Sequence, residues 1–261
     1  YRRQRQMCIR DRAGPVLAGG AGGNYAFGGA TTGPIDNVGV PSLLKQSATY
    51  ISSLGSNTAP ADALYVIEGG GNNARATLAA ISGGADATTT IAAASAQYAA
   101  DIGQIVDSLK AKGATSVIVW DVPNLGLAPF VLADGPTTST LATTVAQSMN
   151  AALALRLSSD ADVRTFDVFG MLSTIDNDPA AYGLTNTRDA GGSVPGADLS
   201  KYLYWDGIHP TAAGHSLLAE SMYAFTTSVP EIDPAGYGTA FALAVGCLGM
   251  IERRRLKRKE A

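Results

Sequence analysis

The chain has 261 residues, a formal charge of −3, 46% hydrophobic side chains and 16% charged ones. That length can bury a sizeable core, and apolar residues spread along it exclude a disordered chain. Residues 1–12 and 252–261 each carry +4, so 13–251, with 8 basic and 19 acidic residues, stands at −11, a balance that excludes nucleic acid as a partner.

Residues 1–12 (YRRQRQMCIRDR) have no apolar periodicity and resemble translated adapter sequence. They are set apart as a non-native segment, so the natural N-terminus and any signal peptide are expected to be missing. From there the chain alternates. Pro41 to Ser53 reads as a helix with Pro in its first turn and Gly55 after it. Leu64 to Glu68 is a short apolar run entering a glycine cluster, the pattern of a buried strand. Thr88 to Lys112 is the firmest helix, with Ile91, Ala94, Tyr98, Ile102, Ile105 and Leu109 on one stripe and Gly113 as cap. Ser116 to Trp120 is the next buried strand. Leu141, Val145, Met149 and Ala152 mark another helical stripe, Val163 to Val168 a third strand, and Pro210 to Phe225 a final helix.

This order predicts an α/β fold with a parallel sheet covered on both faces. Active groups in such sheets sit in loops at the carboxyl ends of strands, which directs attention to the segments after Glu68 and Trp120.

Beyond the body, Ala235 to Ile251 is an uncharged run of 17 residues followed by ERRRLKRK. As a helix at about 1.5 Å per residue it would span roughly 26 Å, close to the hydrocarbon thickness of about 30 Å, with its basic end held in the cytoplasm. Val229-Pro230-Glu231-Ile232-Asp233-Pro234 precedes it. Motif, apolar run and basic end together resemble a PEP-CTERM sorting tail over 229–261, with Ile232 departing from the usual Pro-Glu-Pro. That resemblance implies export to the cell surface or beyond, a transient inner-membrane anchor through 235–251, and an exosortase-type sorting enzyme as partner. The two cysteines, Cys8 and Cys247, both lie outside 13–228, so the body has neither a disulfide nor a thiolate metal site.

Three constellations can carry chemistry. In Asp206-Gly207-Ile208-His209-Pro210 a carboxylate three residues before an imidazole can fold back onto one ring nitrogen, fixing the tautomer and leaving the other nitrogen as a base. The bland alternative is a helix-capping aspartate beside an incidental histidine. His215, inside the next helix, reads as a packing or surface residue, and the three do not have zinc-ligand spacing. Gly69-Gly70-Gly71-Asn72-Asn73 follows a buried strand. Its glycines allow close backbone approach and an asparagine amide there can donate to developing negative charge, although an ordinary turn would look the same. Asn24 to Thr32 is the third, and by itself reads only as a tight turn.

In this order the three resemble the SGNH (GDSL-type) hydrolases, closest to the bacterial branch of autotransporter esterases, over about 23–226. The resemblance implies a three-layer α/β/α sandwich with a parallel sheet, Gly29 and Asn72 as oxyanion donors, and Asp206 and His209 as triad acid and base. It implies no metal or other cofactor. Family members usually have Asp where this chain has Asn73. The family's first block, Gly-Asp-Ser, does not occur in the 261 residues. Nucleophile and first strand are therefore expected to be missing from the domain 13–228. The implied substrate is a small-molecule or polysaccharide ester. A catalytically inactive surface-anchored binding module on the same fold is the alternative, and a purely structural surface-layer role ranks behind it.

Overall fold

The computed structural model describes residues 23–34 and 39–227. Contacts divide the chain into two units, up to Leu217 and from Leu218, with the boundary inside the last described helix.

The first described helix, α1 (Leu43–Ser53), starts where Ser42 Oγ accepts the Lys45 N–H. It leads to β1 (Tyr65–Ile67) and then directly into α2 (Gly71–Ser82). After α2, Asp86 caps α3 (Ala87–Ala111) by accepting the Thr89 N–H at 2.9 Å. The chain continues through β2 (Val117–Trp120), the single-turn α4 (Pro129–Leu132), α5 (Pro136–Leu157) and β3 (Val163–Phe166). Asp167 then caps α6 (Val168–Asn177). Two short strands, β4 (Asn186–Ala190) and β5 (Tyr202–Tyr204), precede α7 (Ala212–Thr227).

The central sheet is parallel with order β1-β2-β3, pairing Ile67 with Val119 and Trp120 with Phe166. The α/β class and parallel sheet expected from the alternation are what the chain adopts. One face of the sheet (Ile67, Val117, Val119) joins Tyr98, Ile102, Ile105 and Val106 of α3 and Val145, Met149 and Leu153 of α5 in one apolar core. The expected stripe on α3 is buried from Tyr98 onward, while Ile91 and Ala94 stay partly open.

The outer edge of β1 faces no further strand among the described residues, and Leu64 and Val66 there are 47% and 49% exposed. Two helices, α2 and α6, and the separate parallel pair β4-β5 were not anticipated. No described helix is long and apolar enough to cross a membrane. The segments 1–12 and 229–261, including the expected span 235–251, lie outside the described residues.

Candidate active site

Strand β5 ends at Tyr204, and the chain turns back at once: Trp205 N–H donates to the His209 carbonyl at 2.8 Å, and Tyr204 bridges Pro210. Inside this turn Asp206 Oδ1 accepts the Ile208 and His209 N–H groups at 2.8 and 2.7 Å. Its Oδ2 lies 2.7 Å from His209 Nδ1. The His209 hydrogen bond, then the two backbone donors, hold the Asp206 carboxyl down at about 2. An ionised carboxylate only accepts, so Nδ1 carries a proton, and in the neutral ring Nε2 is then the nitrogen with the lone pair. The imidazole is 69% exposed. Thr211 anchors the far side of the turn through its Oγ1–H to the Tyr202 carbonyl at 2.6 Å.

Asn72 lies in the first turn of α2 and donates through Nδ2 to the Ala30 carbonyl at 3.0 Å. This brings its amide against the loop that holds Gly29, whose φ of +82° suits glycine. The neighbouring Asn73 has a different task. Its Oδ1 accepts the Thr32 N–H at 3.0 Å and its Nδ2 donates to Thr32 Oγ1 at 2.9 Å. The Thr32 hydroxyl donates to buried Asp101 at 2.7 Å, which also accepts from Gln97.

The glycine cluster is mostly a packing device rather than the substrate platform its composition suggested. A Cβ on Gly69 would collide with Leu43, and one on Gly70 would sit 2.6 Å from Tyr98 and 2.8 Å from Val122. Gly70 also has φ +106°. Only Gly71 opens onto free space.

The structure thus pairs Asp206 with His209, and Asn72 with the Gly29 loop. A third contact, which the sequence did not disclose, connects α2 to the Asp206 turn. The Phe130 N–H donates to the Gly207 carbonyl at 3.1 Å, and the Arg75 guanidinium lies 5.4 Å from the Phe130 ring centroid. His215 is exposed, as expected of a surface residue. No group of metal-ligating side chains occurs among the described residues.

The segment after Trp120 is structural. Asp121 Oδ1 accepts the Val168 and Phe169 N–H groups at 2.8 and 3.0 Å and so fastens α6 to the sheet. Burial first, then the nearby charge of Asp167, pushes its carboxyl up to about 7 against the pull of those donors. Asn124, buried, ties the following loop to Thr143 and Ser173. An open groove of about 820 Å³ between α2 and the start of α3, lined by Asn73, Ala76, Thr77, Thr90 and Gln97, includes none of Asn72, Asp206 or His209.

A family model described as GDSL-like lipase/acylhydrolase matches residues 7–222. An uncharacterised protein of Pseudomonas putida from the trpE-trpG intergenic region is 28% identical over 249 residues, covering 84% of this chain and 40% of that protein. A GDSL esterase/lipase of Arabidopsis thaliana is 29% identical over 155 residues, covering 49% of this chain and 43% of that protein. The chain therefore spans well under two thirds of the length of these relatives.

Proposed function

The chain belongs to the GDSL-like lipase/acylhydrolase family, and from that premise we propose that it is part of a serine ester hydrolase whose nucleophile lies in upstream sequence. One observation carries the reading: the 2.7 Å contact of Asp206 with His209 Nδ1, which leaves Nε2 without a partner among the described residues. In the whole enzyme a serine Oγ attacks an ester carbonyl while Nε2 takes its proton. The Asp206 carboxylate stabilises the imidazolium that results. The Asn72 amide, with one N–H on Ala30 and one to spare, and the Gly29 N–H hold the oxyanion. The imidazolium then returns the proton to the leaving alcohol, and water repeats the cycle on the acyl serine.

The unpaired edge of β1, with its half-exposed Leu64 and Val66, supports the expectation of one more strand beside it. The remaining parts of the proposal rest on sequence. The autotransporter-esterase likeness, acting on acyl lipids or acetylated polysaccharide, comes from the motif order. Export, a transient anchor through 235–251 and processing by an exosortase-type enzyme come from the tail. The absence of any Gly-Asp-Ser favours a second reading, a surface-anchored binding module that has lost catalysis.

Hydrolysis of a short-chain nitrophenyl ester separates the two. The 261-residue chain is expected to be silent. The same chain with its natural upstream sequence is expected to turn over, losing about 10³-fold or more in His209→Ala. Turnover by the 261-residue chain that vanishes in His209→Ala overturns the missing nucleophile. An upstream sequence without Gly-Asp-Ser, and no turnover with it, establishes the binding module.

A further inference from the structure

Arg75 lies three residues after Asn72 on α2, so the two side chains leave neighbouring positions on one side of the helix. It is exposed and makes no hydrogen bond or ion pair among the described residues, and its guanidinium lies over the Phe130 ring. Lys110, Arg156 and Arg188, by contrast, are each paired with aspartates, and Lys112 and Lys201 donate to backbone carbonyls. Among the described residues Arg75 is thus left without a polar partner, in a stretch, 13–251, that holds 19 acidic residues against 8 basic ones.

Its position gives the reason. Phe130 is half-buried, packs against Gly207 and bonds to its carbonyl, so the ring is fixed to the turn that carries Asp206 and His209. With its guanidinium carbon 5.4 Å from that ring's centroid, Arg75 is held near the turn and offers N–H donors in a fork that matches a carboxylate or a phosphate. The start of α2 has no side-chain cap at Gly70, and the helix N-terminus, about one turn before Arg75, adds positive potential.

We propose that Arg75 is a specificity-determining residue that selects esters carrying an anionic group, carboxylate or phosphate, close to the scissile bond. This rests on the reading of Asn72 and His209 as the ester site. In an otherwise acidic body, an anionic substrate without this contact would be repelled. Arg75 therefore sets which esters are accepted and takes no part in proton transfer.

Binding of monobenzyl succinate and its neutral counterpart benzyl methyl succinate to the full chain, by calorimetry or ligand-observed NMR, tests this. The anionic ester is expected to bind about tenfold or more tightly than the neutral one. Arg75→Gln, a change at an exposed position, is expected to abolish that preference while leaving the neutral ester's affinity unchanged. Asn72→Ala is expected to weaken both. Equal binding of the two esters, or a preference that persists in Arg75→Gln, overturns the role of Arg75 and leaves the ester site standing if Asn72→Ala still weakens both. Binding of neither ester, or binding indifferent to both Asn72→Ala and His209→Ala, overturns the ester site and this inference with it.

Discussion

Asp206 holds His209 twice: its Oδ2 meets Nδ1 of the ring at 2.7 Å, and its Oδ1 accepts the backbone N–H of the same residue at 2.7 Å. Ring and backbone of the histidine are thus oriented by one carboxylate, and the intervening Gly207 lets the chain close the turn against Phe130. The arrangement requires the carboxylate to stay charged.

The first prediction follows from that charge. In an NMR titration the Asp206 carboxyl is expected at about 2 in the parent. His209→Ala should move it up toward the ordinary value of about 3.9, stopping short because the Ile208 and residue-209 backbone donors remain. With its folded pKa depressed, Asp206 adds stability above its unfolded value and loses it as pH falls toward 2. Both side chains are well exposed, so the contribution should stay below about 1 kcal/mol. An Asp206 titration that is the same in both proteins would mean the contact does not persist in solution.

Asn72 and Asn73, adjacent in sequence, should respond differently. Asn73→Ala leaves the Thr32 N–H and the buried Thr32–Asp101 pair without their partner and should cost roughly 1–3 kcal/mol in denaturant melts. Asn73→Asp, the residue usual in the resembled family, should also destabilise. Thr32 has one hydroxyl proton and gives it to Asp101, so a carboxylate at 73 would face an oxygen lone pair. The variant's carboxyl should then have a raised folded pKa, and its stability should fall as pH rises from about 4. Asn72→Ala loses only the bond to Ala30, and its loss should be nearer about 1 kcal/mol.

These two asparagines also indicate what the sequence could and could not disclose. Helix α3 and strands β1 to β3 were legible because stripes such as Tyr98, Ile102 and Ile105, or runs such as Val117 to Val119, are dictated by burial. The Asp206–His209 contact was legible because three residues and a glycine leave the chain little choice. Helix α2 was not. Its buried face is Ala74, Thr77 and Leu78, too small and polar to register as an apolar stripe, and it begins within glycines and asparagines that signal a turn. Helix α6 follows β3 after a single residue and was absorbed into the strand's apolar run. Arg75 and Phe130 lie 55 positions apart with no pattern connecting them, so only the folded chain brings them together.

Within the glycine cluster, two substitutions should separate packing from access. Gly70→Ala forces a Cβ against Tyr98 and Val122 and a side chain onto φ +106°, so it should cost roughly 3 kcal/mol or more, or prevent folding. Gly71→Ala meets open space at the first position of α2 and should change stability by no more than about 1 kcal/mol in either direction. Thermal melts of the two proteins make the comparison. A Gly70→Ala protein as stable as the parent would mean that the Gly70 backbone does not pack against Tyr98 and Val122.

The last prediction concerns Asp121, where burial and hydrogen bonding oppose each other. Its Oδ1 accepts two N–H groups at the start of α6, which favours the charged form, but desolvation dominates and raises the carboxyl to about 7. Between about pH 4 and 7 the unfolded chain has released this proton and the folded chain retains it, so stability falls across that window as pH rises. Asp121→Asn keeps an oxygen to accept from Val168 and Phe169 and removes the charge. The parent's Tm should therefore drop between pH 5 and 8 by roughly 3–6 °C, equivalent to about 1–2 kcal/mol, and the variant should be flatter over the same range and the more stable protein at pH 8. If the parent melts at the same temperature throughout that range, the α6 donors outweigh burial and Asp121 is ionised at pH 5 already.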